Sequence, residues 1–130
     1  MAMSASVKNE FFAWVDAALG RSIPTETVAF HFNLYEGAAS VHVQLMGTDS
    51  FEGGEQYWPG RETFTTGEDI FEVPFESAGA AWPQWLESLK IVVLAYIDSG
   101  NRSALLRSSQ EVGIGFVDGD MYVLWPRGAA

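Results

Sequence analysis

The stretch "TVAFHFNLYEGAASVHVQLMG", residues 27–47, decides the fold. Apolar and polar residues alternate on both sides of "EGAA", which predicts a β-hairpin with Gly37 and Ala38 at its tip. If Glu36 faces Ala39, then Leu34 faces Val41, Phe32 faces Val43 and Phe30 faces Leu45. One face is then wholly apolar, and it must be covered by something else in the chain. The opposite face carries His31, Asn33, Tyr35, Ser40, His42 and Gln44.

The covering elements lie on either side. Upstream, Val7, Phe11, Trp14, Val15, Ala18 and Leu19 recur at the spacing of one helical face, with Ser4 or Ser6 to cap the start and Gly20 to stop it. Downstream, Trp82, Trp85, Leu86, Leu89, Val92, Val93, Tyr96 and Ile97 repeat the same period, with Pro83 in the first turn and Gly100 past the last. Because Ile91, Leu94 and Ala95 are apolar too, little of the second half of this helix is expected to face water. "RSALLRSS" adds a short helical turn.

Between hairpin and central helix, residues 47–68 lose all periodicity and are rich in glycine, with a short strand expected near Glu55 to Trp58. Irregular connections of this length are usually functional or mobile. "DIFEVPF" then reads as a strand confined to a sheet edge, because Pro74 has no N–H for a ladder. At the end, "EVGIGFVDGDMYVLW" predicts a second hairpin turning at Asp118-Gly119. Pairing Val117 with Asp120 puts Val112, Ile114 and Phe116 on one face with Met121, Val123 and Trp125. Gly113 and Gly115 then lie opposite Leu124 and Tyr122, where small residues let larger cross-strand side chains lie over the backbone.

The expectation is one α+β domain over residues 1–130. It has a largely antiparallel sheet of roughly four to six strands, with an N-terminal helix and a long central helix packed on it. The 130 residues suffice for one core and not two. With 48% hydrophobic and only 18% charged residues, the composition is that of a packed domain, not a disordered chain.

Seven Lys and Arg stand against 17 Asp and Glu, a formal charge of −10, which disfavours direct binding of nucleic acid or anionic membranes. Without cysteine there is no disulfide framework, thiol nucleophile or thiolate metal site. No apolar run approaches the roughly 20 residues of a membrane span, and the N-terminal stretch lacks the continuous apolar core of a signal peptide. A cytoplasmic location is the expectation.

Two patterns bear on function. His31 and His42 fall on the polar face of neighbouring strands, roughly diagonal to each other, and with Asn33 and Tyr35 they form an alternative ligand or acid–base site. A half-exposed sheet needs such polar residues without any function, and the structural reading carries more weight. The second pattern is acidic. Eight of the 17 acids lie between Asp49 and Glu76, against one base, Arg61. Asp49, Glu52 and Glu55 recur at intervals of three, which is not the ligand pattern of a calcium loop, so no metal is expected. No cofactor is expected either: "GIGFVDG" is a hairpin and not a phosphate loop, and no G-x-S-x-G elbow marks a hydrolase.

What remains is recognition. Tyr57 and Trp58 stand amid these acids with no helical or strand stripe to claim them, and aromatic residues of this kind anchor interfaces or plug a core edge. The expected partner-binding set is Tyr57 and Trp58 with Asp49, Glu52, Glu55, Glu62, Glu68, Asp69 and Glu72, facing a basic protein.

A small, acidic, cysteine-free α+β chain with "FHFNLYEG", "GTDSFEGGEQYW" and a closing "VGIGFVDGDMYVLW" resembles the single-domain immunity proteins of bacterial polymorphic and contact-delivered toxin systems. The resemblance lies in order and character over most of the chain. It implies a non-enzymatic inhibitor that covers a cognate toxin, often a basic nuclease. Self-association into a homodimer through the sheet is a third reading.

Overall fold

The structure, a computed structural model, describes residues 3–52, 58–59, 61–117 and 119–126, with the backbone alone at 51, 52, 58 and 59. Helix α1, Ala5–Leu19, starts where the Ser4 side chain accepts a hydrogen bond from the Val7 N–H at 3.2 Å, and it ends at Gly20. That bond satisfies one of the helix's orphan donors. Phe11, Val15, Ala18 and Leu19 form the buried stripe.

Strands β1, Ala29–Glu36, and β2, Ser40–Thr48, form the predicted antiparallel hairpin, but in a register shifted by two. Leu34 pairs with Val43, Phe32 with Leu45, and Glu36 with Val41 rather than Ala39. In this register the tip is closely packed. The His42 imidazole covers Gly37, leaving no room there for a Cβ, and the Gly37 N–H donates to the Ser40 carbonyl at 2.8 Å. Because the shift is even, every side chain keeps its predicted face. Phe30, Phe32, Leu34, Val41, Val43 and Leu45 are all buried.

Two-residue strands β3, Phe51–Glu52, and β4, Trp58–Pro59, pair as a separate small ribbon, so the expected strand near Trp58 exists in part. Strands β5, Glu62–Thr65, and β6, Phe71–Pro74, lie end to end along the outer side of β2, β5 against Met46–Thr48 and β6 against Ser40–Val43. Between them Thr66 bonds both backbone groups of Leu45, and Gly67 turns the chain at φ +58°. The edge position expected of "DIFEVPF" is the one it occupies.

A short helix α2, Phe75–Ala78, leads into α3, Trp82–Ser99. The Trp85 indole donates to the Gly79 carbonyl at 2.9 Å and Ser88 Oγ to the Ala78 carbonyl at 2.7 Å, fixing one helix on the other. At the far end, the Tyr96 hydroxyl donates to Asp16 and accepts from the Arg102 N–H, tying α3 to α1. Burial, then the Asp16 carboxylate, raise its pKa. The expectation that the second half of α3 avoids water fails at Ile91, which is 66% exposed. Its neighbours Val92 and Val93 take the core positions. Helix α4, Ser103–Arg107, is the predicted short turn.

Strand β7, Glu111–Phe116, runs parallel to β1, Phe32 opposite Ile114, and this pairing joins the two halves of the chain. Strand β8, Tyr122–Trp125, completes the order β5-β2-β1-β7-β8, with β6 also on β2. The last hairpin pairs in a different register from the one predicted. Strand β7 ends at Phe116 and β8 begins at Tyr122, and a register shift in their ladder puts Ile114 opposite Tyr122 and Gly113 opposite Val123. Leu124 is consequently buried while Val123 is not. Asp118 lies outside the described residues. Gly115 has no room for a Cβ because the Asp120 carbonyl passes over it, and Met121 lies over Gly113. The glycines serve close packing, as expected, but against the connecting segment.

One continuous apolar core joins α1, α3 and α4 to the face of the sheet that carries Phe30, Phe32, Leu34, Val112 and Ile114. The architecture is α+β with a mostly antiparallel six-stranded sheet. No helix among the described residues is long and apolar enough to cross a membrane.

Candidate functional site

Of the expected acidic surface, three carboxylates already have partners within the chain. Asp49 closes the base of the irregular segment: its Oδ1 accepts the Arg61 N–H at 2.9 Å, its Oδ2 accepts Arg61 Nε at 3.1 Å, and its own N–H donates to the Arg61 carbonyl. Asp69 is ion-paired with Arg21, and Glu72 Oε1 accepts from Ser40 Oγ at 2.9 Å and lies 3.2 Å from His42 Nε2. Glu62 and Glu68 are exposed. Glu55 and Tyr57 lie outside the described residues, as do the side chains of Glu52 and Trp58. The backbone of Trp58 pairs with that of Glu52.

Geometry gives the exposed acids of this set, whether paired or not, a common placement. Glu62, Glu68, Asp69 and Glu72 are all exposed and follow one another along β5, the turn and β6, the open edge of the sheet beyond β2.

The polar face of the hairpin divides into a sealed end and an open end. His31 is fully buried, opposite Met46, with Nε2 3.4 Å from Thr48 Oγ1. Burial disfavours its charged form and brings its pKa down to about 4, so it is neutral at physiological pH. Asn33 is engaged with Met46, its Nδ2 2.9 Å from the sulfur. Tyr35 and His42 pair directly at the other end, their rings 5.0 Å apart and nearly perpendicular. The predicted diagonal histidine pair does not form. The two-residue shift places His42 four positions from the partner of His31, about 13 Å along the strand, too far for a shared ligand.

A third feature escapes the sequence. At the Tyr35 end, a cleft of about 580 Å³ opens between the ends of β1 and β7 and the first turns of α3. Tyr35, Trp82, Phe116 and Tyr122 supply four aromatic rings to its walls, and Glu36 and Asp120 supply two carboxylates. Trp82 is 59% exposed and meets Phe116 edge-on at 6.4 Å. Lys90 Nζ sits 3.8 Å from the centre of the Tyr122 ring. Trp82 reads in sequence as the first member of the helical core stripe, but it is exposed, and the buried stripe begins at Trp85. The detectable signal is that Tyr35 stands next to last in β1 and Phe116 last in β7. It becomes legible only once β1 and β7 are known to run parallel, which brings those ends together.

No family model, curated protein or solved structure matches the chain. Function must be argued from these residues.

Proposed function

We propose that this chain is a non-enzymatic protein-binding inhibitor, an immunity protein that neutralises a cognate basic bacterial toxin. The observation that carries the reading is the row of exposed carboxylates Glu62, Glu68, Asp69 and Glu72 along one open sheet edge, in a chain of net charge −10. Such a row attracts a basic surface at a distance, speeds encounter and repels acidic competitors. Asp49 acts from within, holding the base of the adjoining segment through Arg61. Tyr57 and Trp58 are the anchors in this reading, with Glu52 and Glu55 as further charge partners.

The test is co-expression with the product of the adjacent reading frame, followed by gel filtration at low and high salt. A complex that weakens with salt, and weakens again with Glu62→Lys and Glu68→Lys together, is the expected result. Absence of any complex, or a complex indifferent to both changes, refutes the proposal.

A further inference from the structure

The cleft at the end of the sheet differs in chemistry from the acidic edge. It is concave, four of its nine lining residues are aromatic, and its volume of about 580 Å³ is that of a binding pocket. Two carboxylates line it, from Glu36 at the end of β1 and Asp120 before β8. An anionic occupant would meet both of these charges and the chain's overall −10. A purely apolar occupant would use the rings alone and leave both exposed carboxylates without a partner. A cation on a long apolar stem satisfies both parts of the lining, stem and rings together, charge against carboxylate.

The molecule already displays this preference at the rim, where Lys90 places its ammonium over the face of Tyr122. That contact occupies one ring and leaves Tyr35, Trp82 and Phe116 for an incoming group. Between the two common cations, arginine fits better. Its guanidinium is planar, more weakly hydrated than an ammonium, stacks on rings, and has donors to spare for two carboxylates. The cleft is also joined to the acidic edge through side chains in contact: Tyr35 packs on His42, and His42 lies against Glu72.

We propose that the cleft formed by Tyr35, Trp82, Phe116 and Tyr122 with Glu36 and Asp120 receives an arginine side chain of the basic protein partner. The inference rests on the proposed function for the source of that arginine, and on the cleft alone for its chemistry. Partner and cleft then meet at two places, the carboxylate row steering approach and the pocket holding one residue.

The experiment needs no partner. The purified chain is titrated with N-acetyl-arginine methylamide, followed by the Trp82 indole resonance assigned with Trp82→Phe, with the citrulline analogue as the uncharged isostere. Saturable shifts at Trp82 and Tyr35 with the arginine probe and none with citrulline are expected. Read at Tyr35, Trp82→Ala should weaken the response about fivefold to tenfold. Glu36→Gln with Asp120→Asn should weaken it as well, while Glu10→Lys on α1 leaves it unchanged. Equal responses to arginine and citrulline, shifts confined to the 62–72 edge, or shifts that track self-association in sedimentation would each overturn the proposal. A probe that binds while co-expression yields no complex leaves the cleft standing and removes the inhibitor reading. A complex indifferent to Trp82→Ala does the reverse.

Discussion

His31 and His42 have the same side chain, stand on the same face of one hairpin, and have opposite fates. His31 is sealed beneath neighbouring segments and neutral down to about pH 4, whereas His42 lies at the rim, between Tyr35 and Glu72. Alternation assigns both to a polar face. It does not say which end of that face the rest of the chain covers. The sealed end is a place where charge is excluded, and the open end is where charge is managed in contact with solvent.

The strongest way to press the comparison is through pH. Glu111 shares the sealed face by alternation, and its Oε1 has no hydrogen-bond partner among the described residues. Burial raises its pKa from 4.5 to about 7. The folded state therefore holds a proton that the unfolded state has lost, and stability falls as pH rises from 4.5 through 7. Glu111→Gln removes that slope, and relative to the parent it should gain about 3 kcal/mol between about pH 4 and pH 8 in urea unfolding. His31 acts with the opposite sign. Its folded pKa lies below the usual histidine value of 6.5, so its contribution is present above 6.5 and is lost as pH falls toward 4. Between about pH 4.5 and 6.5 the two slopes oppose each other. Glu111→Gln should expose a stability that rises with pH across that window, and His31→Asn one that falls, each by about 3 kcal/mol in all.

A smaller effect is expected from Gly115→Ala. The added Cβ meets the Asp120 carbonyl, which is backbone and cannot step aside alone, so the urea midpoint should report a loss of about 2 kcal/mol. At the open end, His42→Gln should change stability by less than about 0.5 kcal/mol, because its contact with Glu72 is exposed to solvent. A loss at His42 as large as at Gly115 would erase the distinction between the two ends.

The residues also show where a sequence stops being legible. Helices α1 and α3 could be read with their caps at Ser4 and Gly100, because helix periodicity and capping are local. The faces of β1 and β2 could be read because alternation survives an even error in register. The register itself could not, since an even shift leaves the alternation unchanged. Nor could the β1–β7 pairing, which no local period records and on which the cleft depends. Among the acids, the surplus between Asp49 and Glu76 was plain in the sequence. Which of them were committed internally was not, because Arg61 and Arg21 reach Asp49 and Asp69 only after the sheet has assembled.

The two half-strands laid along β2 have a consequence for how anything can grip this side of the molecule. A continuous exposed strand offers its backbone to any passing extended chain, which can add itself as another strand whatever its sequence. Here the row is broken at Thr66–Ile70, where the chain turns through Gly67, and it is capped by Pro74, which lacks an N–H. Neither half is long enough to template a strand, and charged side chains flank both. Promiscuous sheet extension is thereby discouraged, and a visitor to this edge is selected by its side chains.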